Sequence, residues 1–135
     1  MQGDQSYMEN KFEIYYHMML MWVWSELHEK KITDYLISVD VKNVAIYGMT
    51  EIGKCLSYEL DKAGIKTNYV IDRNKAVICD CQVYRPDGES FPKVDAIIVT
   101  PEYAFSEIAE NLSNKTDNRI ISLQQLLCDA TGLVL

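Results

Sequence analysis

The chain has 135 residues, of which 48% are hydrophobic and 24% are charged, and its formal net charge is −7. This length suits a single packed core and is short for two domains of ordinary size. A chain this acidic lacks the clustered lysines and arginines of a nucleic-acid surface, so we expect no nucleic-acid partner.

The first six residues are polar and carry neither the basic region nor the apolar region of a secretory signal. The spacing of the four cysteines, Cys55, Cys79, Cys81 and Cys128, matches no small disulfide scaffold. Both observations are typical of a protein in the reducing cytoplasm, which is the location we expect.

An unusually apolar helix is predicted for residues 9–31, which include no glycine or proline. Its apolar run, residues 18–24, is much shorter than the roughly 18 residues of a membrane span, so no span is expected. The side chains expected to spread around more than half of the helix are Tyr16, Met19, Met21, Trp22 and Trp24.

The long helix can bury its second face in two ways. It can fold back entirely into a single core, or it can pack against another molecule. We favour the second arrangement and expect a homodimer in which the helix contacts its symmetry mate, with Trp24→Glu giving a folded monomer. A short helix at residues 32–38 follows, and residues 1–40 form a helical extension.

A glycine turn follows the first predicted strand and opens an amphipathic helix. The turn fits G-x-G-x-x-G through Gly48 and Gly53, with Thr50 in place of the second glycine. It also fits G-x-x-x-x-G-K-[ST], with Cys55 in place of the hydroxyl that binds magnesium. A thiol is a poor ligand for magnesium, whereas Thr50 only crowds the turn, so the dinucleotide pattern is favoured.

The second predicted strand ends at Asp72, 19 positions after Gly53. In a dinucleotide fold, an acid at this place accepts hydrogen bonds from ribose hydroxyls. The alternative is that Asp72 only begins a turn with Arg73 and Asn74, because Asp and Asn favour turns through local hydrogen bonds. The residues leave both interpretations open.

The rest of the chain alternates strand and helix, which is typical of a parallel sheet. Strands are expected at residues 81–84, 94–100 and 119–122, Pro101 at the first position of a helix, and a capping box at Ser122 and Gln125. We therefore predict an α/β fold for residues 41–135, with strand order 3-2-1-4-5 and helices on both faces of the sheet.

A ligand in this fold would lie at the carboxyl ends of the strands, between the first and the fourth. We expect the phosphate to contact Gly48, Thr50, Glu51, Ile52 and Gly53. Asp72 and Arg73 would face the ribose or base, and Thr100, Pro101 and Tyr103 would form the opposite wall.

Catalytic and metal motifs are weak. Tyr58 and Lys62 match a Tyr-x-x-x-Lys pair, yet they lie on the helix directly after the glycine turn, so coincidence is favoured. Cys79 and Cys81 lack the further ligands of a zinc site. His17 and His28 are expected to be ordinary helix residues. We therefore predict no catalytic or metal residue, and leave open whether the chain is an enzyme.

The chain resembles the small Rossmann-like domains of bacterial polysaccharide and nucleotide-sugar biosynthesis. The resemblance covers about residues 30–128 and rests on four segments: Val44-Ala-Ile-Tyr-Gly48-Met-Thr-Glu51-Ile-Gly53-Lys54, Val70-Ile-Asp72, Val83-Tyr84, and Val94-Asp-Ala-Ile-Ile-Val-Thr100-Pro101. It implies an NAD(P) or UDP-sugar ligand and a partner glycan-biosynthesis enzyme, without implying a catalytic step. Such domains usually carry glycine where this chain has Thr50. An interaction module with a degenerate nucleotide site is the alternative function.

Overall fold

The computed structural model describes residues 2–134 except Lys75 and Ile78, and it describes side chains from Asn10 onward. The helices are α1 (Gln2–Leu27), α2 (Ile32–Ser38), α3 (Glu51–Lys62), α4 (Phe105–Ser113) and α5 (Leu123–Thr131). The strands are β1 (Asn43–Tyr47), β2 (Lys66–Ile71), β3 (Gln82–Tyr84), β4 (Ala96–Val99) and β5 (Ile120–Ser122). A 3-10 turn at Glu102–Ala104 precedes α4.

The five strands form one parallel sheet in the order β3-β2-β1-β4-β5. β1 is central, with Ile46 opposite Val70 on one side and opposite Ile98 on the other. The α/β class, the strand order and the presence of helices on both faces confirm the fold predicted from the sequence.

Alternation along β1 shows how the two faces are covered. Val44 and Ile46 point into a core formed with α1, α2, α3 and α5, whereas Ala45 and Tyr47 point into a second core formed with α4 and Phe91. Because side chains of a strand alternate between faces, a strand buried on both sides reads as a continuous apolar run.

The long helix α1 contributes one face to the larger core. Met18, Met21 and Trp22 are buried there, and the helix packs on α5 and on the 3-10 turn. Tyr16 and Met19 are exposed. The five side chains named from the sequence therefore divide: two lie in the core, two face outward, and half-buried Trp24 stacks on His28.

Several element boundaries differ from the prediction. α1 ends at Leu27, and β3, β4 and β5 are shorter than expected. Pro101 does not begin an α-helix, because the 3-10 turn separates it from α4. The capping box is half formed: Ser122 accepts a hydrogen bond from the Gln125 backbone N–H, while the Gln125 side chain donates to Asp129.

In the part of the chain that the structure describes, every helix is too short or too polar to cross a lipid bilayer.

Candidate functional site

The turn between β1 and α3 requires glycine at both of its ends. Gly48 has a φ of +89°, and a Cβ there would lie 2.7 Å from the Thr100 hydroxyl oxygen. A Cβ on Gly53 would collide with the carbonyl oxygen of Gly48. The turn and the first turn of α3 are therefore in direct backbone contact, the close approach that the first and third glycines allow in a dinucleotide fold.

The N-terminus of α3 faces this turn. The first hydrogen bond of the helix runs from Lys54 N–H to the Thr50 carbonyl, so the N–H groups of Glu51, Ile52 and Gly53 have no acceptor within the helix. The Thr50 side chain is exposed and makes no capping hydrogen bond. These N–H groups and the helix dipole favour an anion here.

Two residues of the predicted phosphate site act through the backbone rather than the side chain. Thr50 has φ −81° and ψ −166°, an extended conformation that any residue adopts, so this backbone does not require glycine. The Ile52 side chain packs against the larger core, leaving only its N–H toward the turn. The exposed carboxylate of Glu51 lies in the first turn of α3 and repels an anion.

Asp72 connects the end of β2 to the glycine turn. One carboxylate oxygen accepts the Met49 N–H at 2.7 Å, and the other accepts the Asn74 N–H at 2.8 Å. The bond from Asn74 forms the local turn that is the alternative role of Asp72. Each oxygen has a further lone pair, so the carboxylate keeps the capacity to accept a ribose hydroxyl.

Thr100 and Pro101 hold the turn from the side of β4. The buried Thr100 hydroxyl donates between two carbonyl oxygens, at 3.0 Å from Tyr47 and 2.9 Å from Gly48. Pro101 lies against Gly48, where a Cβ would come within 3.0 Å of the proline Cδ. Thr100 therefore stabilises the turn, because its only hydrogen is already directed at the backbone.

Tyr47 is a polar residue at this edge that no sequence motif marks. It is the last residue of β1, directly before Gly48, and its hydroxyl interacts with the Arg73 guanidinium. Burial raises the pKa of Tyr47, and Asp72 and Glu107 raise it further, while Arg73 lowers it. Its place at the carboxyl end of the central strand was the signal available in the sequence.

Tyr103 lies apart from these contacts. Its ring packs edge-on against Tyr15, with centroids 6.0 Å apart, and the Lys11 ammonium lies 4.5 Å from its centre. Together with Gln124 it lines a cleft of about 480 Å³ against α1. A second cleft of about 260 Å³ lies between Glu102, one side of α5, and Leu133 and Val134 after that helix. Neither cleft is lined by the glycine turn.

Other reactive side chains form no site with this turn. The Cys79 and Cys81 sulfur atoms are 3.4 Å apart, and burial, together with Cys79, raises the pKa of the Cys81 thiol to about 12, which disfavours the reactive thiolate. Among the described residues, no three His, Cys, Asp or Glu side chains come together as metal ligands.

The structure thus brings Gly48, Gly53, Asp72, Thr100 and Pro101 into one connected group around the β1–α3 turn. The same turn and helix end include the backbone of Thr50, Glu51 and Ile52. Arg73 is connected to this group by its interaction with the Tyr47 hydroxyl. Tyr103 is not part of the group and contacts α1 instead. In comparisons with known proteins, no protein-family model, curated protein or solved structure matches the chain.

Proposed function

We propose that this chain is a cytoplasmic nucleotide-binding protein that takes NAD(P) or a UDP-sugar and serves as an accessory to polysaccharide or nucleotide-sugar metabolism. The proposed ligand lies over the β1–α3 turn, with its phosphates at the N-terminus of α3. The observation that carries this proposal is the pair of glycines, Gly48 and Gly53, neither of which has room for a Cβ.

The position of the turn supports a nucleotide over other anions. It lies at the carboxyl end of β1, the central strand, which has β2 beside it on one side and β4 on the other. Open parallel sheets bind ligands in the crevice at such a point, and Asp72 stands beside it at the end of β2. The resemblance to Rossmann-like domains of polysaccharide biosynthesis supplies the ligand class.

The second candidate is an interaction module whose nucleotide site has degenerated. Three features favour it: Thr50 replaces a glycine, Glu51 places a carboxylate in the first turn of α3, and Asp72 already occupies the Met49 N–H. Each of these weakens attraction for a phosphate. Nucleotide binding separates the two candidates directly.

Assembly through α1 is part of both candidates. The partner is a second copy of the chain or a glycan-biosynthesis enzyme, and the support for either is apolar surface on α1, where Phe12, Tyr16 and Leu27 are 62%, 62% and 75% exposed. Monomeric proteins rarely expose large contiguous apolar patches, and such patches mark interaction sites.

The test is thermal unfolding with NAD(H), NADP(H) and UDP-sugars, one at a time. A ligand at 100 times its dissociation constant adds about 2.7 kcal/mol to the free energy of unfolding. For a domain of this size, we expect Tm to rise by roughly 5–10 °C. No shift with any nucleotide would reject nucleotide binding and leave the interaction module.

A matched pair of variants on α3 tests where the ligand binds. Glu51→Gln removes a negative charge beside the proposed phosphate and should tighten binding about 2–5-fold, because two like charges a few ångströms apart in water repel by up to about 1 kcal/mol. Asp61→Asn removes the same charge from an exposed position on the same helix, about 15 Å away, and should change little. Equal effects of both variants would contradict a phosphate at this turn.

A further inference from the structure

The outward face of α1 carries a continuous apolar stripe. Its members are Phe12 (62% exposed), Tyr16 (62%), Met19 (39%), Leu20 (50%), Val23 (53%) and Leu27 (75%). At 100° per residue, these six side chains fall within an arc of about 100°, on the side of the helix away from buried Met18 and Trp22. The domain's own core does not cover this arc.

The spacing of the stripe is the same in both directions along the helix. From Phe12 to Leu27 the steps are 4, 3, 1, 3 and 4 residues, so the pattern is symmetric about the point between Met19 and Leu20. Turning the helix end for end exchanges Phe12 with Leu27, Tyr16 with Val23, and Met19 with Leu20. An antiparallel copy therefore places an apolar side chain opposite every member of the stripe.

Steps of three and four residues also suit the packing of two helices along a shared seam. A two-fold axis at the midpoint makes this contact isologous, the arrangement of most soluble dimers. Because Met18, Met21 and Trp22 hold α1 on its own domain, the two domains lie on opposite sides of the helix pair and leave the seam accessible.

The surface area is sufficient for such a pair. We estimate that the six side chains expose roughly 600 Å² per copy, so that pairing buries roughly 1,200 Å², at the lower limit for stable interfaces. This predicts a dimer of moderate affinity, with a dissociation constant of about 1–10 μM.

Charge disfavours a lipid surface as the occupant. The chain carries a net charge of −7, and exposed Glu13 and Glu26 lie beside the stripe. Helices that lie on membranes carry lysines and arginines on the polar face, which attract anionic lipids. A different protein would cover the stripe equally well. Such a partner, however, would give no reason for the end-to-end symmetry in the spacing of the stripe.

We infer that the stripe of α1 pairs with the same stripe of a second copy, in antiparallel orientation about a two-fold axis between Met19 and Leu20. This inference names the partner in the proposed assembly through α1, and it does not depend on nucleotide binding. If the protein is a dimer whose Tm does not change with any nucleotide, the nucleotide proposal fails and this interface stands. If it is a monomer that binds a nucleotide, the interface fails and the nucleotide proposal stands.

The first experiment measures mass by light scattering and sedimentation from about 1 to 100 μM, a range chosen around the expected affinity. Wild type should change from monomer to dimer within it. Val23→Glu should raise the dissociation constant by about 100-fold or more, because it buries an unpaired charge at the seam. Val23 is better placed for this test than Trp24, which is half-buried outside the stripe.

Tyr58→Glu is the matched control. Tyr58 is 72% exposed on α3, outside the stripe, and its replacement should leave the dimer unchanged. Circular dichroism should show native helix content in both variants, since both side chains are exposed. A wild type that stays monomeric to 100 μM, or a dimer as sensitive to Tyr58→Glu as to Val23→Glu, would overturn the inference. Monomers that bind lipid vesicles through the stripe would also overturn it.

Orientation is tested by cross-linking in a Cys55→Ser background, because Cys55 is an exposed cysteine. Phe12→Cys and Leu27→Cys are prepared as separate variants. An antiparallel pair predicts disulfide-linked dimers when the two variants are mixed, and few when either is oxidised alone. Efficient cross-linking of each variant with itself, with no disulfide joining the Phe12→Cys chain to the Leu27→Cys chain in the mixture, would show a parallel pair and overturn the assigned geometry.

Discussion

At the scale of single residues, Thr50 offers the most direct test of the glycine turn. Replacing Thr50 by Gly removes the side chain at the N-terminus of α3 and should let a pyrophosphate approach the backbone more closely. We expect a lower dissociation constant for NAD(H) or a UDP-sugar by calorimetry. The backbone at this position does not demand glycine, so the fold should persist, and unchanged affinity would count against the phosphate position.

Asp72→Ala tests the ribose end of the same site. A ribose-bearing ligand should bind about 1–3 kcal/mol more weakly, the range for hydrogen bonds to a charged group. The variant also loses the acceptors for the Met49 and Asn74 N–H groups, so its stability should fall as well. The dissociation constant is therefore measured at a temperature where the variant is fully folded.

Asp95→Ala is the control for that loss of stability. The Asp95 carboxylate likewise accepts two backbone N–H groups, from Lys42 and Asn43, but it lies at the opposite end of the sheet. The Asp95→Ala variant should be less stable than wild type but should bind the ligand with the same affinity. A dissociation constant unaffected by Asp72→Ala would limit Asp72 to its structural role in the turn.

The residues of the candidate site were partly predictable from the sequence. Gly48 and Gly53 follow from a local pattern, because a strand, a turn and a helix occur in succession. The bond from Met49 to Asp72 joins residues 23 positions apart, and no local pattern indicates it. Tyr103 is predicted at the wall of the site, but in the structure its ring packs against Tyr15. The sequence does not indicate this contact, because it depends on where α1 lies in the fold.

At the scale of elements, Glu59 makes the contact between α3 and α1 depend on pH. It accepts a hydrogen bond from the Trp22 indole, and its Oε1 oxygen is buried with no hydrogen-bond partner in the described part of the chain. Burial, with the nearby Glu26 carboxyl as a second cause, raises the pKa of Glu59 from 4.5 to about 7, against the opposing effects of Trp22 and Lys31.

The sign of this dependence follows from proton binding. Between pH 4.5 and about 7, the folded state holds a proton on Glu59 that the unfolded state has lost, so stability falls as pH rises through this window. We expect Glu59→Gln to reduce that slope in denaturant titrations at pH 5, 6 and 7. Burial also raises the pKa of Glu102, so part of the slope should remain.

Glu110→Gln is the matched control for Glu59, because Glu110 is an exposed glutamate on α4. It should retain the wild-type slope. A Glu59→Gln variant with the full wild-type slope would show that the contact between Trp22 and Glu59 does not carry the pH dependence.

The elements themselves were predicted well wherever one face is apolar and the other polar. α3 and α4 have such faces, and the buried strands read as apolar runs. For α1 the sequence could not show which face is buried, because Met18 and Met19 are identical neighbours with 0% and 39% exposure. The packing of α1 against α5 and the 3-10 turn distinguishes them.

At the scale of the whole molecule, α1 should unfold together with the sheet. Met18, Met21 and Trp22, which lie in the helical extension predicted for residues 1–40, belong to the same core as Val44, Ile46 and Ile98. A shared core makes unfolding cooperative, so different probes should report coincident transitions.

The chain provides a natural probe for this prediction, because its two tryptophans, Trp22 and Trp24, both lie on α1. Tryptophan fluorescence therefore follows α1, whereas circular dichroism follows the helices and the sheet together. The thermal curves from the two signals should coincide, and they should do so in monomeric Val23→Glu, where dimer dissociation cannot contribute. A fluorescence transition several degrees below the dichroism transition would show that α1 leaves an intact sheet and behaves as a separate unit.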